Sequence, residues 1–286
     1  MDSIKPHAVQ PGVAPIPQIK NIIAIASGKG GVGKSTVTAN LALALHAQGA
    51  RVGILDADIY GPSQPLMLGL SGKPEIIDNK MLPLKAYGLQ VMSIGFLVDE
   101  KAAMIWRGPM VSGALMQLLN DTAWQALDYL LLDLPPGTGD IQLTMAQKIP
   151  VSAAILVTTP QDLALLDVER AYAMFAKVNV PVLGVIENMS GYTCSACGHH
   201  EAIFGEGGAA HLAAHHPLPL LGQLPLHISV REHADSGQPL VSAQPLHPVT
   251  QIYLAIAQQV RERLALQKRS FAHILPKVVV ERKQGD

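Results

Sequence analysis

The chain has 286 residues, and its 21 Lys and Arg against 22 Asp and Glu give a formal net charge of −1. This balance lacks the basic excess that nucleic-acid binding requires, so we expect no nucleic-acid partner. Because 49% of the residues are hydrophobic and only 15% are charged, the chain can bury a core, which excludes disorder as its main state.

The apolar residues occur in short runs that glycine, proline or charged residues interrupt. None of these runs approaches the roughly 18 residues that a membrane-spanning helix needs, and we expect no membrane partner. The first 20 residues lack a basic segment followed by an apolar core, so they do not resemble a signal peptide. We therefore expect a cytoplasmic protein.

Sequence patterns divide the chain into three parts. Residues 1–20 contain four prolines and no helical or alternating pattern, which predicts an extended leader. Residues 21–266 carry the regular patterns and are predicted to form one domain. Residues 267–286 form a basic, unpatterned tail, which indicates a loose C-terminus more than a membrane-surface anchor.

Within the predicted domain, near-continuous apolar runs alternate with helix-like segments. Such runs are typical of strands buried on both faces of a parallel sheet. The alternation predicts an α/β fold with a doubly wound, mainly parallel sheet and helices on both faces, which binds ligands at the carboxyl ends of its strands. The expected strands are 22–26, 52–55, 91–94, 129–132, 153–157 and 182–186, and the expected helices are 35–48, 113–127, 166–178 and one around 252–264.

A phosphate-binding loop directly follows the first predicted strand. The sequence matches G-x-x-x-x-G-K-[ST], between a strand and a helix as that motif requires. Its glycines allow backbone amides to surround phosphate oxygens, while the helix start and a lysine add positive charge. Lys34 is the predicted phosphate ligand, and Ser35 is the predicted Mg²⁺ ligand. The predicted nucleotide-binding residues are Gly28, Lys29, Gly30, Gly31, Val32, Gly33, Lys34, Ser35 and Thr36.

Lys29 is a second lysine in this loop, although phosphate binding needs only one. We interpret it as a catalytic cation that contacts the nucleotide of a facing subunit, which couples nucleotide binding to dimerisation. A cation close to a triphosphate contributes about 4 kcal/mol per charge pair at an effective dielectric constant of ~20. A solvated loop lysine is the alternative interpretation.

Acidic residues end two of the predicted strands, where phosphoryl transfer to water needs a metal and an oriented water molecule. Asp133 is predicted to hold a water of the magnesium shell, and Gly137 lets its loop approach the γ-phosphate. Asp58 is assigned to orienting the attacking water, and Asp56 to the outer shell of the metal. For Asp140, a catalytic role and a role as the N-cap of the following helix are equally good interpretations.

Asn188 follows the predicted strand 182–186 by two positions. Its amide has the donor and acceptor needed to bind an adenine edge. Asparagine at the end of a strand is also a common turn former, so both interpretations stay open.

Cys194 and Cys197 are the only cysteines, spaced C-x-x-C in a segment that we predict to be a loop. A closed tetrahedral site needs four ligands, so a thiolate-only site requires two chains related by a two-fold axis. This arrangement fits a [4Fe-4S] cluster that bridges a homodimer. A zinc site completed by His199 and His200, a redox-active pair and two inert thiols are the alternatives.

Several motifs together resemble the Mrp/ApbC family of iron–sulfur carrier ATPases, and the phosphate loop resembles the wider class that includes partitioning and division-site ATPases. The likeness extends over nearly all of residues 20–265. The matching stretches are SGKGGVGKST, DADIYGPS, Trp106-Arg107-Gly108-Pro109-Met110, DYLLLDLPPGTGD, TTPQDLAL, VIENMSGYTC and CGHHEAIFGEGG.

This resemblance implies an ATP-hydrolysing homodimer that holds a labile [4Fe-4S] cluster on Cys194 and Cys197. The implied partners are apo iron–sulfur proteins, which receive the cluster, and cluster assembly factors. Lys29 is implied as the lysine that crosses the subunit interface, and Asn188 as the adenine ligand. The alternative function is that of a partitioning or division-site regulator, which uses the same dimer switch.

The sequence departs from the family pattern in two places. Many members carry a further small N-terminal domain, which the 20-residue leader does not supply. His227 stands where relatives commonly have aspartate, and we expect an effect on base contacts or on the subunit interface.

Overall fold

A computed structural model of the chain describes residues 4–97, 108–194, 196–216 and 218–270. Trp106, Arg107 and residues 271–286 of the predicted tail lie outside the described residues. Within these ranges, every helix is too short or too polar to span a lipid bilayer. The strands are β1 (Ile19–Ala26), β2 (Val52–Asp56), β3 (Ile76–Ile77), β4 (Lys80–Met81), β5 (Leu84–Ala86), β6 (Leu89–Ser93), β7 (Leu127–Asp133), β8 (Ala153–Thr158), β9 (Val182–Thr193), β10 (His200–Glu201) and β11 (Leu220–Leu226).

The helices occupy most of the segments between these strands. They are α1 (Lys34–Ala47), α2 (Gln64–Met67), α3 (Gly108–Asp121), α4 (Asp140–Lys148), α5 (Asp162–Lys177), α6 (Gly208–His215), α7 (Ile228–Asp235), α8 (Leu240–Ala243) and α9 (Pro248–Ala265).

The main sheet has the strand order β10-β9-β8-β1-β7-β2-β6-β5, and β11 also pairs with β9. The pairs from β8 to β6 are parallel, as are β8 with β9 and β11 with β9. Within the described part of this sheet, β5 and β10 alone run antiparallel to their neighbours. The central strands β7 and β8 are buried at every position because helices cover both faces. The predicted doubly wound, mainly parallel α/β fold is thus confirmed.

Helices α1 and α9 pack together on one side of the sheet, while α4 contacts both α3 and α5, and α5 packs on β8. The six predicted strands are all present. The short strands β3, β4, β5 and β10 and the longer β11 were not predicted. Their runs are too brief or too polar to stand out against the buried central strands.

Helix α3 is where one predicted boundary is wrong. The expected helix 113–127 ends at Asp121, and Leu127 instead begins β7. Thr122 Oγ1 donates to the carbonyl of Leu118 at 2.5 Å, and the indole of Trp124 donates to the carbonyl of Leu119 at 3.0 Å. The last carbonyls of a helix have no partner within the helix, and these two side chains satisfy two of them. The helix can therefore end at Asp121, although the apolar pattern continues to Leu127.

The predicted leader packs against the domain. The backbone amide of His7 donates to Asn21 Oδ1 at 3.0 Å, and the buried amide of Gln10 bonds to backbone groups of Ile149 and Val151. Strand β1 begins at Ile19, two residues before the expected start of the folded part. The leader therefore contributes hydrogen bonds to the fold, and the domain boundaries stay predictions.

Candidate nucleotide site and cysteine hairpin

The loop between β1 and α1 has the conformation of a phosphate cradle. Gly31 and Gly33 both have φ of +81°, a left-handed conformation that favours glycine. Gly33 precedes the first turn of α1, so the helix start with its unsatisfied amides faces this loop. Gly28 lies against the backbone of Asp167 in α5, and Gly30 lies beside Pro136 of the loop after β7.

Lys34 and Asp133 form a buried ion pair at the base of the loop. Their Nζ and Oδ1 atoms are 2.5 Å apart, and the side chains are 6% and 0% exposed. Asp133 also accepts hydrogen bonds from Thr38 at 3.3 Å and from Gln64 Nε2 at 2.8 Å. Lys34 lies 3.3 Å from Ser35 Oγ, so the predicted phosphate and magnesium residues meet at one point.

Gln64 is a site residue that the sequence reasoning missed. It is fully buried at the start of α2, where its side-chain amide donates both to Asp133 and to the carbonyl of Ser35. It therefore connects the loop after β2 to the phosphate loop. The sequence offers no clear signal for this role, because Gln64 follows its strand by eight residues and belongs to no apolar pattern.

Asp56 lies next to Asp133, since the two residues are register partners on β2 and β7. It accepts hydrogen bonds from the amides of Ser63 and Gln64 and from Ser93 Oγ, at 3.0 to 3.1 Å. Burial, together with the neighbouring negative charge of Asp133, raises the pKa of Asp56 to about 7. Asp56 thus fixes the loop that carries Asp58, and its assignment to the outer metal shell stays a prediction.

Asp58 has a free oxygen in this region. Its Oδ1 atom is buried and accepts no hydrogen bond from the described part of the chain. Burial raises the pKa of Asp58, and the nearby Lys34 opposes that rise. A carboxylate oxygen without a partner is suited to receive a water molecule or a ligand of Mg²⁺.

The donor set fits Mg²⁺ in its chemistry. The ion prefers hard oxygen ligands and usually takes only one or two carboxylates, with phosphate oxygens and water as the rest. Ser35 Oγ, Asp58 and Asp133 supply such oxygens. Among the described residues, no three His, Cys, Asp or Glu side chains form a metal cage, so a bound nucleotide would have to complete the coordination.

The loop after β7 lies on the phosphate loop. Gly137, with φ of +101°, donates its amide to the carbonyl of Ser27 at 3.0 Å. The predicted N-cap role of Asp140 is wrong, because Asp140 is the first residue of α4 and Gly139 occupies the cap position. The carboxylate of Asp140 still lies in the first turn of α4, where its negative charge interacts favourably with the positive end of the helix dipole.

A cavity of about 280 Å³ borders the phosphate loop on the side of α7. Asn188 lines it within β9, and its Nδ2 atom donates to the carbonyl of Val32 at 2.8 Å. Thr36 also lines this cavity. His227, the departure from the family pattern, lines the cavity and caps α7 by accepting from the amide of Ser229 through Nδ1. Aspartate fills the same capping role, which gives this departure a physical account.

Lys29 is directed to the start of α5. Its Nζ atom donates to Oε1 of Gln161 at 3.0 Å, and Thr159 Oγ1 donates to the same oxygen at 3.3 Å. Gln161 is the residue that precedes α5. Sequence reasoning did not single out Gln161, because its contact with Lys29 joins positions 132 residues apart.

The cysteines lie in the turn that joins the two strands of a β-hairpin, and the predicted loop is shorter than expected because β9 includes Gly191. Strand β9 continues to Thr193 and pairs with β10 through Thr193 with His200. The amide of Cys194 donates to the carbonyl of His199 at 2.9 Å. Gly191 leaves room for the imidazole of His200, because a Cβ atom at that position would lie 2.6 Å from Cε1 of His200.

Both thiols are accessible at the hairpin turn, where Cys194 is half-buried and Cys197 is exposed. The amides of Cys197 and Ala196, and the Cys197 thiol, donate hydrogen bonds to Cys194 and lower its pKa. This favours the thiolate, which is the metal-binding form. His200 Nδ1 lies 3.3 Å from Thr193 Oγ1, and within the described ranges no three metal-binding side chains meet, so the zinc alternative gains no support.

The parallel sheet and the phosphate loop define the chain as a P-loop NTPase. Residues 18–261 match the ParA family model described as NUBPL iron-transfer P-loop NTPase. The chain belongs to this family, which confirms the resemblance seen in the sequence.

Several proteins that are similar to this chain are named as iron-sulfur cluster carrier or transfer proteins. The iron-sulfur cluster carrier protein of Pseudomonas fragi is 57% identical over 257 residues, which cover 89% of this chain and 90% of that protein. The protein of the same name from Escherichia coli K12 is 58% identical, with coverage of 89% and 69%. The mouse iron-sulfur cluster transfer protein NUBPL is 51% identical, with coverage of 89% and 81%.

Solved structures agree with the fold. A nucleotide-binding protein from Archaeoglobus fulgidus, solved in complex with ADP, is 41% identical and superposes with a TM-score of 0.68 over 77% of this chain and 88% of that one. The cell division ATPase MinD of Pyrococcus furiosus is 24% identical, with a TM-score of 0.63 over 85% and 98% of the two chains. The second likeness concerns the fold alone.

Proposed function

We propose that this protein is an ATP-hydrolysing carrier that assembles or transfers a [4Fe-4S] cluster to apo iron–sulfur proteins as a homodimer. The observation that carries the proposal is that one strand, β9, includes Asn188 beside the phosphate loop and leads directly into Cys194. Six residues of extended chain span about 20 Å. A shift of the phosphate loop therefore has a short, continuous path to the cysteines.

The cysteine hairpin supports a cluster shared between two copies. One chain supplies two thiolates on an exposed turn, whereas a cluster of this type needs four ligands. A second copy related by a two-fold axis supplies the other two. The relatives named as iron–sulfur carrier and transfer proteins support the identity of this cargo.

The nucleotide site supports a hydrolytic switch. ATP would draw Lys34 from Asp133 toward its phosphates, while Ser35 and Asp133 would hold Mg²⁺, directly or through water. When bound, that ion neutralises charge on the phosphate oxygens. Asp58 would orient the attacking water, and Lys29 would leave Gln161 to contact the nucleotide of the partner subunit.

In this scheme nucleotide binding closes the dimer and changes how tightly the four thiolates hold the cluster, and hydrolysis reopens it. Cluster assembly factors and recipient apoproteins are the proposed partners. The proposed location is the cytoplasm, where exposed thiols stay reduced.

Anaerobic reconstitution tests the proposal. We expect about four iron and four sulfide per dimer in the natural chain, and none retained in the Cys194→Ala or Cys197→Ala variants. Ala196→Ser, in the same turn, is the matched control and should keep the cluster. A natural chain that takes up no iron or sulfide, or one that stays monomeric with every nucleotide, would refute the carrier function.

A further inference from the structure

A second, larger cavity of about 740 Å³ lies at the edge of the sheet opposite the phosphate loop. Tyr129, near the amino end of β7, forms part of its wall, whereas Asp133 of the nucleotide site ends the same strand. Four residues of strand separate these positions by about 13 Å. The leader and the last turns of α9 enclose the other sides, so the cavity is distinct from the nucleotide site.

Positive charge dominates this cavity. Lys5, Arg261 and Arg269 line it, and Glu262 is the acidic residue among its lining groups. Within the described ranges, none of these three cations forms an ion pair. Glu262 accepts a hydrogen bond from Gln258 at 2.9 Å. The cavity therefore carries an uncompensated positive charge that favours an anion.

Polar neighbours hold Arg261 in place. Arg261 donates to Gln48 Oε1 at 3.2 Å and to the hydroxyl of Tyr129. Asp128, the neighbour of Tyr129 on β7, is already bonded to Lys20 at 2.7 Å and to Arg51 at 3.2 Å. A guanidinium fixed in this way keeps other N–H groups free for a carboxylate or phosphate.

The rest of the lining is mixed, because the polar side chains of His7, Gln48 and Gln258 stand beside apolar groups. The apolar part consists of Ile4, Ala265 and the nearly fully buried residues Tyr129 and Leu264. The volume falls within the range of roughly 300 to 1,000 Å³ that is usual for small-molecule sites. Apolar walls with a few convergent polar groups are the usual composition of such sites.

We propose that this cavity binds a small organic anion in which a carboxylate or phosphate head is attached to an apolar body. Arg261 and Arg269 contact the head, and Tyr129, Leu264 and Ile4 contact the body. The site is independent of the cysteines and of the phosphate loop.

The test uses the full chain saturated with ADP and Mg²⁺, so that the phosphate loop is occupied. The probe is 3-phenylpropionate, with 3-phenylpropanol and acetate as the body-only and head-only controls. Binding is followed by NMR of ¹³C-labelled tyrosine rings, and Tyr129→Phe identifies the Tyr129 signal. We expect a dissociation constant of about 1 mM or tighter for the probe, and at least tenfold weaker binding of either control.

Variants assign the effect to the cavity. Arg261→Gln should weaken binding about tenfold and the exposed Arg269→Gln several-fold, whereas Arg170→Gln on α5 should leave it unchanged. Because Arg269 is exposed, its substitution leaves folding intact even if Arg261→Gln does not. The proposal is overturned if the probe leaves the Tyr129 signal unmoved, or if 3-phenylpropanol binds as tightly as 3-phenylpropionate. It is also overturned if Arg170→Gln weakens binding as much as Arg261→Gln, or if the probe binds only after removal of residues 271–286.

Discussion

Lys29 donates a hydrogen bond from Nζ to Oε1 of Gln161 at 3.0 Å, so the lysine at the start of the phosphate loop is engaged within its own chain. An intersubunit role requires this bond to break first. Hydrogen bonds to charged groups contribute about 1.5 to 3 kcal/mol, and partial exposure places this one at the lower end. In the proposed dimer, Gln161 would therefore oppose closure by a modest, measurable amount.

We predict that Gln161→Ala shifts the ATP-dependent monomer–dimer equilibrium about a hundredfold toward the dimer, or about tenfold for each subunit, because both Lys29 side chains are then released without cost. Gln161→Glu should shift it the other way, because an ion pair holds Lys29 more firmly. Sedimentation velocity across a range of ATP concentrations measures both. If the Gln161 variants still differ from one another in a Lys29→Ala background, the effect does not pass through Lys29.

The buried ion pair between Lys34 and Asp133 predicts a strong effect on stability. Lys34→Met should lower the free energy of unfolding by about 3 to 5 kcal/mol, because it leaves a buried carboxylate without its cation. Adding Asp133→Asn should restore much of that loss but no nucleotide binding. Urea denaturation and ATP titration give the two readouts, and additive losses of stability would contradict the pairing.

The raised pKa of Asp56, about 7, predicts a pH dependence of stability. An aspartate in the unfolded chain titrates near 3.9, so between about pH 4 and 7 the folded state holds more protons than the unfolded state. Stability should therefore fall as the pH rises through this window, by up to about 1.4 kcal/mol per pH unit.

Asp56→Asn is the variant that isolates this effect, since the amide keeps the shape of the side chain without a titrating proton. Its free energy of unfolding in urea, measured from pH 5 to pH 8, should vary less steeply than that of the natural chain. Equal slopes in the two proteins would assign the pH dependence to other groups.

The close approach of Gly191 and His200 predicts a second-site rescue. Gly191→Ala places a methyl group 2.6 Å from Cε1 of His200, so the imidazole must leave its position beside Thr193, and the reconstituted chain should retain less iron. His200→Ala removes the obstacle, and the double variant should regain most of the iron. Iron content after anaerobic desalting measures this, and a double variant as poor as Gly191→Ala would show that His200 is not the cause.

Local sequence was sufficient for the phosphate loop and for the central strands. The residues from Gly28 to Ser35 are contiguous, and their backbone preferences and the adjacent helix start act within one turn of chain. Strands buried on both faces leave continuous apolar runs that a sequence displays directly. The family, the phosphate loop and the cysteine pair could therefore be recognised from the residues alone.

Tertiary structure alone decided the contacts between distant segments. Gln64 meets Asp133 and Gln161 meets Lys29 only because parallel strands bring their carboxyl ends to one edge of the sheet. The raised pKa of Asp56 depends on burial and on a neighbour 77 positions away, and the hairpin at Cys194 depends on cross-strand pairing. These properties arise from proximity in space, which no local pattern of residues encodes.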